Sequence, residues 1–277
     1  MPAAVVAEVS KPDELTPELF EREFVRPARP IVIRGLASDF AARSWDFPRI
    51  APHFPKRALR ATGVSHGLRE TWHFTSEELA ERLSSDVVAA DTPRADWLFD
   101  VRADLPELLS SLPPPAVSRG ATQYRLFMGR STVTPGHYHS FQHALLCAIH
   151  GTKRVLLYTP EDSGKLYPEP MKPEDRHYRS SQVDFATPDL ARFPLFASAR
   201  PLEVTLAPGD ALFVPVHFWH AVYGTGPVMS TSLFWNARLR DYRFPQPGFS
   251  TLAGVVRAEL ARGLRGFSKL AARSTSL

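Results

Sequence analysis

S-T-V-T-P-G-H-Y-H-S-F-Q-H-A-L-L-C-A-I-H-G-T-K-R-V-L-L-Y-T-P, residues 131–160, sets His137 and His139 one residue apart. In an extended strand, side chains at i and i+2 share a face, so the two imidazoles can converge on one metal ion. The apolar run 144–149 follows, then His150-Gly151-Thr152, then Lys153 at the head of a second apolar run. This spacing predicts a β-hairpin of 144–149 with 154–158. A third ligand has to come from elsewhere. The candidate is His220 in P-V-H-F-W-H-A-V (215–222), which follows the turn and strand of A-P-G-D-A-L-F-V (207–214). Two ligands on one strand, a third far downstream and a lysine between them point to an oxygen-activating metal centre in a β-barrel.

Working outward, residues 123–130 alternate in part, with Tyr124, Leu126 and Met128 on one face. Residues 202–206, 211–214, 219–223 and 228–235 read as four more strands, with Pro208-Gly209-Asp210 as a turn. Many short strands joined by tight turns predict a closed sandwich or barrel. The polar loop 166–194 exceeds the usual loop length and reads as a lid or a wall for substrate. Residues 1–121 read as a mixed α/β region with proline-rich joints. A helix over 10–24 has Thr16 as cap and Pro17 at its first position, and a short strand lies between Pro30 and Gly35. Short helices are expected from Ser44 towards His53, over 77–83 and over 105–112, with strands at 71–74 and 97–99. Beyond residue 250, Leu252, Val255, Val256, Leu260, Leu264, Phe267 and Leu270 recur at helical spacing, with Arg and Lys between them. That helix reads as a core or dimer seam rather than a membrane-surface element.

An apolar fraction of 44% and a charged fraction of 22% are those of a soluble globular protein. The single cysteine, Cys147, lies in an apolar run and rules out a disulfide framework within the chain. No run of about 18 apolar residues occurs, so no spanning helix is expected. The N-terminal segment lacks the basic flank of a signal peptide, and a cytoplasmic protein is expected. A net charge of +4, with basic and acidic residues interspersed, does not suggest a nucleic-acid partner.

Several motifs in order carry a family resemblance: T-P-G-H-Y-H (134–139), G-T-K-R (151–154), L-Y-P-E-P (166–170), S-Q-V-D-F (181–185), R-F-P-L-F (192–196), the run from Pro208 to His220, and L-F-W (233–235). The segment 126–235 resembles the Jumonji-C, cupin-like family of Fe(II)/2-oxoglutarate oxygenases. Its motifs are most like those of the asparaginyl hydroxylase that inhibits hypoxia-inducible factor. The resemblance implies a mainly β fold: a double-stranded β-helix (cupin or jelly-roll) core over 122–249, an α/β N-terminal region over 1–121, and a C-terminal helix over 250–277, as one domain. It implies Fe(II) held by two histidines and a carboxylate, with 2-oxoglutarate as cosubstrate. By matching position, His137 and His220 are metal ligands. Lys153 pairs with the far carboxylate of 2-oxoglutarate, Thr134 donates to it, and Trp235 lines the pocket, with Tyr124 and His143 as further pocket candidates. The C-terminal helix matches a homodimer seam.

Three departures stand out. The carboxylate position is His139. The spacing from His137 to Gly151 is one residue longer, which a bulge near Ser140 would absorb. Two expected asparagines are replaced, one by His143 or Ala144 and the other by Leu233. With the inserted residue, His139 and His143 form an alternative ligand pair. Three functional readings therefore stand: an Fe(II)/2-oxoglutarate hydroxylase of a peptide, protein or small molecule; a three-histidine oxygenase that does not use 2-oxoglutarate; and a catalytically silent relative that binds a peptide or partner.

Overall fold

The computed structural model describes residues 6–45, 50, 59–65, 68–74, 95–118, 120–170, 178–242 and 253. Strands β1 (Ala7–Val9), β2 (Ile31–Ile33), β3 (Leu59–Ser65), β4 (Leu68–Phe74) and β5 (Ala95–Asp100) come first. Then follow β6 (Gln123–Arg130), β7 (Val133–His139), β8 (Gln142–His150), β9 (Lys153–Tyr158) and β10 (Tyr178–Ser180). The last four are β11 (Leu202–Leu206), β12 (Ala211–Val214), β13 (Trp219–Gly224) and β14 (Pro227–Asn236). They build a larger sheet, β1-β2-β12-β8-β14-β6-β5-β3-β4, and a smaller one, β10-β7-β13-β9-β11. From β6 to β9, and again from β11 to β14, each strand enters the sheet opposite to its predecessor. That alternation is the jelly-roll pattern of a double-stranded β-helix.

It also overturns the expected hairpin. β8 pairs with β12 and β14, whereas β9 pairs with β11 and β13. His150-Gly151-Thr152 is a corner between sheets. Gly151 has φ +68°, and a Cβ there would lie 2.3 Å from the Pro227 carbonyl oxygen, so the corner requires glycine. A tight turn between two apolar runs looks the same in sequence whether it folds back in one sheet or crosses to the next.

Three apolar layers follow from strand alternation. Between the sheets, Ala144, Leu146 and Ala148 of β8 meet Val155 and Leu157 of β9 and Val204 and Leu206 of β11. On the outer face of the larger sheet, Leu145, Cys147 and Ile149 pack with Phe213, Leu126 and Met128 beneath N-terminal residues such as Phe20 and Leu105. On the outer face of the smaller sheet, Tyr138, Leu156, Tyr158 and Trp219 are covered by Val183, Phe185, Phe193 and Phe196 of the long loop. The described part of that loop therefore roofs the back of the smaller sheet. A lid or a wall for substrate was expected there; the described residues serve as outer cover for the sheet.

The N-terminal region is joined to the larger sheet. Thr16 accepts from the Leu19 N–H and starts a helical segment at Pro17–Phe20 that continues as a wider π-turn over Glu21–Val25, while 12–14 is a separate 3-10 turn. β2 pairs with β12, and Arg34 donates to Asp210 at 2.6 Å. Asp210 also accepts from the N–H groups of Gly35 and Ala207, so the turn residue anchors the N-terminal region as well. Where a helix was expected to begin at Ser44, a 3-10 turn over Ala41–Ser44 ends and Trp45 is extended; most of that helix, and those expected over 77–83 and beyond 250 with the dimer seam, lie outside the described residues. Among the described residues no helix is long and apolar enough to cross a membrane.

Candidate metal centre

His137 and His139 share one face of β7, and His220 on β13 is paired directly with His137. One ligand atom from each of the three rings lies within 4.8 Å of the others. Their ring centroids are 4.2 Å (His137–His220), 4.8 Å (His139–His220) and 5.2 Å (His137–His139) apart.

A bulge completes the site. His220 pairs with His137 but Val222 pairs with Thr134, so β7 spends one extra residue between these rungs. Thr134 and His137 are three apart and would face opposite ways on a regular strand. The bulge reverses the parity and lets both line the same cavity. It lies at Pro135–Gly136. Gly136 permits the close approach behind it, since a Cβ there would lie 2.4 Å from the Phe185 ring. Within the span from His137 to Gly151, where a bulge near Ser140 was expected, the ladder irregularity falls at Ile149, since His150 and Ala148 pair with the consecutive Met229 and Ser230.

Two of the rings are fixed by the backbone. His137 Nδ1 is 2.8 Å from the Pro135 carbonyl oxygen, and His220 Nδ1 is 3.1 Å from that of Phe218. A carbonyl only accepts, so each Nδ1 carries the proton and each Nε2 keeps its lone pair. His139 differs: its Nδ1 is buried and has no hydrogen-bond partner among the described residues. Burial first, then the neighbouring His220 and His137, holds His139 well below the usual imidazole range. Burial and His137 do the same for His220. Neutral imidazoles are the form that ligates, and a three-nitrogen set suits iron, cobalt, nickel, copper or zinc.

The cavity before the three rings opens to solvent and measures about 490 Å³ with that open space included. Lys153, Thr134 and Ser232 add polar groups; Phe127, Leu146, Val155 and Phe234 are among its apolar walls. Lys153 is almost fully buried, its Nζ 5.8 Å from the centre of the Phe127 ring.

Tyr124, His143 and Trp235, expected at the pocket, do not line it. Leu233 pairs with both Tyr124 and Leu145, and Trp235 pairs with His143. All five belong to the outward rows of the larger sheet, while Ala144, Ser232 and Phe234 take the alternate, inward positions. The chain turns at Ser140-Phe141 into the opposite sheet, so the parity of His137 and His139 does not carry on to His143. His143 is buried instead against Phe213 and Trp235, which excludes the alternative His139–His143 ligand pair. Of the two candidates for the first replaced asparagine, Ala144 is on the cavity wall and His143 is not; Leu233, at the second, faces away from it. Phe127, Ser232 and Phe234 were missed, although alternation along β6 and β14 carried the signal.

The model of the cupin-like domain family matches residues 17–241. A Jumonji C domain-containing protein 5 from Drosophila melanogaster is 34% identical over 119 residues, 42% of this chain and 28% of that protein. An HSPB1-associated protein 1 from Rattus norvegicus is 41% identical over 102 residues, 37% of this chain and 21% of that protein. A lysine-specific demethylase 8 from Danio rerio is 26% identical over 234 residues, 79% of this chain and 56% of that protein. The chain thus spans little more than half, and in two cases under a third, of the length of these relatives. They carry the likeness to the Jumonji-C level and do not extend it to the asparaginyl hydroxylase. A jelly roll with a histidine cluster on its inner wall, matched along most of its length by one family model, places this chain in the cupin-like domain family.

Proposed function

We propose that this chain is an iron(II)- and 2-oxoglutarate-dependent oxygenase that oxidises a protein or peptide. The observation that carries this reading is the convergence of His137, His139 and His220 on the wall of a cavity that also holds Lys153 and Thr134. His137 and His220 would hold the ion through Nε2, with His139 completing the set. The chemistry that iron(II) supplies when bound is activation of dioxygen, which no side chain provides. Lys153 would hold the far carboxylate of 2-oxoglutarate, with Thr134 donating to the same group. The apolar walls limit water near the reacting face and strengthen the lysine–carboxylate attraction. A protein or peptide substrate is favoured over a small molecule by the relatives, one named a lysine-specific demethylase and others named for association with HSPB1.

One observation favours a second reading, a three-histidine oxygenase that does without 2-oxoglutarate. Where the family resemblance implies a carboxylate, His139 is neutral, so a bound divalent ion keeps its full charge. An anionic substrate could then ligate the ion itself. Calorimetric titration of 2-oxoglutarate into the iron-loaded protein under argon separates the two. Under the first reading 2-oxoglutarate binds, and Lys153→Ala weakens it by more than about a hundredfold, since loss of one partner of a buried ion pair costs about 3–5 kcal/mol. No binding at millimolar 2-oxoglutarate sinks the first reading and leaves the second. A chain that takes up no metal at all would be a silent binding relative.

A further inference from the structure

His143 is 1% exposed and Asp241 3% exposed, and neither belongs to the cavity. His143 Nδ1 accepts the Val216 N–H at 3.1 Å. That fixes the tautomer: Nε2 carries the proton and faces Asp241 Oδ2 at 3.3 Å. The same carboxylate oxygen accepts the Arg238 N–H at 2.8 Å. The ring packs beside Phe213 and Trp235, with centroids 5.6 and 5.7 Å away, and those two rings stack on each other at 5.8 Å.

The segment that His143 grips is the one that supports the metal ligands. Immediately after Val216, the His217 N–H donates to the His139 carbonyl at 3.2 Å. One residue later, the Phe218 carbonyl takes the proton of His220 Nδ1. His217 itself has φ +69°, a conformation costly for a residue with a Cβ, so this bend needs outside support. One short bend thus touches the backbone of one ligand and the ring of another, and its own first N–H is held by His143.

We propose that the His143–Asp241 pair is a positioning device for the metal centre, acting through the 215–218 bend to set the His220 ring and the His139 backbone. The inference rests on the metal-site reading above. Groups that orient ligand rings typically change metal affinity by about 10- to 100-fold when removed.

The test is cobalt(II) binding, read by its visible absorption and by competition with a chelating dye, alongside thermal unfolding of the metal-free proteins. His143→Phe keeps a ring of similar size but leaves the Val216 N–H without its acceptor. It should bind cobalt(II) about 10- to 100-fold more weakly, with a shifted spectrum. His143→Asn keeps an acceptor near the place of Nδ1 but leaves a gap. It should unfold at lower temperature and still bind cobalt(II) within about threefold of wild type, in line with an intact hydrogen bond. A purely structural histidine predicts the reverse: affinity that does not follow the Val216 hydrogen bond. Wild-type affinity and spectrum in folded His143→Phe would therefore overturn the proposal. If His143→Phe does not fold, the comparison is made on Asp241→Ala, where unchanged affinity and spectrum overturn it equally. Wild-type protein that binds no cobalt(II), or His137→Ala and His220→Ala variants that bind it normally, would overturn the metal-site reading and this inference with it.

Discussion

At the scale of single residues, the candidate site is an unequal set. His137 and His220 have their Nδ1 protons on backbone carbonyls, whereas His139 lacks such a brace among the described residues. His137→Ala and His220→Ala should each abolish stoichiometric uptake of a divalent transition metal, measured by elemental analysis after gel filtration. Uptake that survives both changes would put the ion elsewhere. The pair His137/His139 was legible because a strand repeats every two residues. His143 does not follow that pair because the repeat is reset when the chain changes sheets; Trp235, placed by resemblance, lies on the outward row of β14. Asp241 adds a pH-dependent prediction. Burial alone would raise its carboxyl, but hydrogen bonds from His143 and the Arg238 N–H outweigh it and leave the group below its ordinary value. A folded value below the unfolded one gives stability that is complete above the ordinary carboxylate range, about 3.9, and is lost as pH falls through the folded value. Urea unfolding at stepped pH should show a shallower acid decline for Asp241→Asn than for wild type. Parallel declines would remove Asp241 from the acid response.

At the scale of elements, the turns and strands were read well and their partners were not. The four strands after residue 200 lie close to where alternation placed them, because their apolar positions face buried layers. Pairing was not legible, since β8 and β9 are apolar on both faces and find their neighbours far along the chain. The bulge at Pro135–Gly136 is another feature that composition hides. Its glycine faces the Phe185 ring, and φ is not the constraint there. Gly136→Ala should therefore destabilise by overpacking, by about 1–3 kcal/mol. Phe185→Leu in the same chain should recover part of that loss, giving a double-mutant coupling of about 0.5 kcal/mol or more. Strictly additive effects in chemical denaturation would mean that the loop does not bear on the bulge.

At the scale of the whole molecule, among the described residues the outer face of the larger sheet packs on the N-terminal region and that of the smaller sheet on the long loop, while the inner faces share an apolar layer and the cavity. The jelly-roll class was legible from many short strands and the order of the motifs; the merging of the N-terminal strands into the larger sheet was not, because β1 and β2 are only three residues each. The three histidines come from β7 and β13, strands far apart in the chain and adjacent in the smaller sheet. An ion held by all three can bind the folded chain but finds no such set in the unfolded one, so binding adds directly to folding stability. At a hundredfold excess over its dissociation constant the gain is about 2.7 kcal/mol. For a domain of this size each kcal/mol raises the midpoint by about 2–4 °C, so cobalt(II) should raise Tm by roughly 5–10 °C. A chelator should return it to the metal-free value, and His220→Ala should show no shift. A rise of equal size in His220→Ala would show that the ion stabilises the fold from another place.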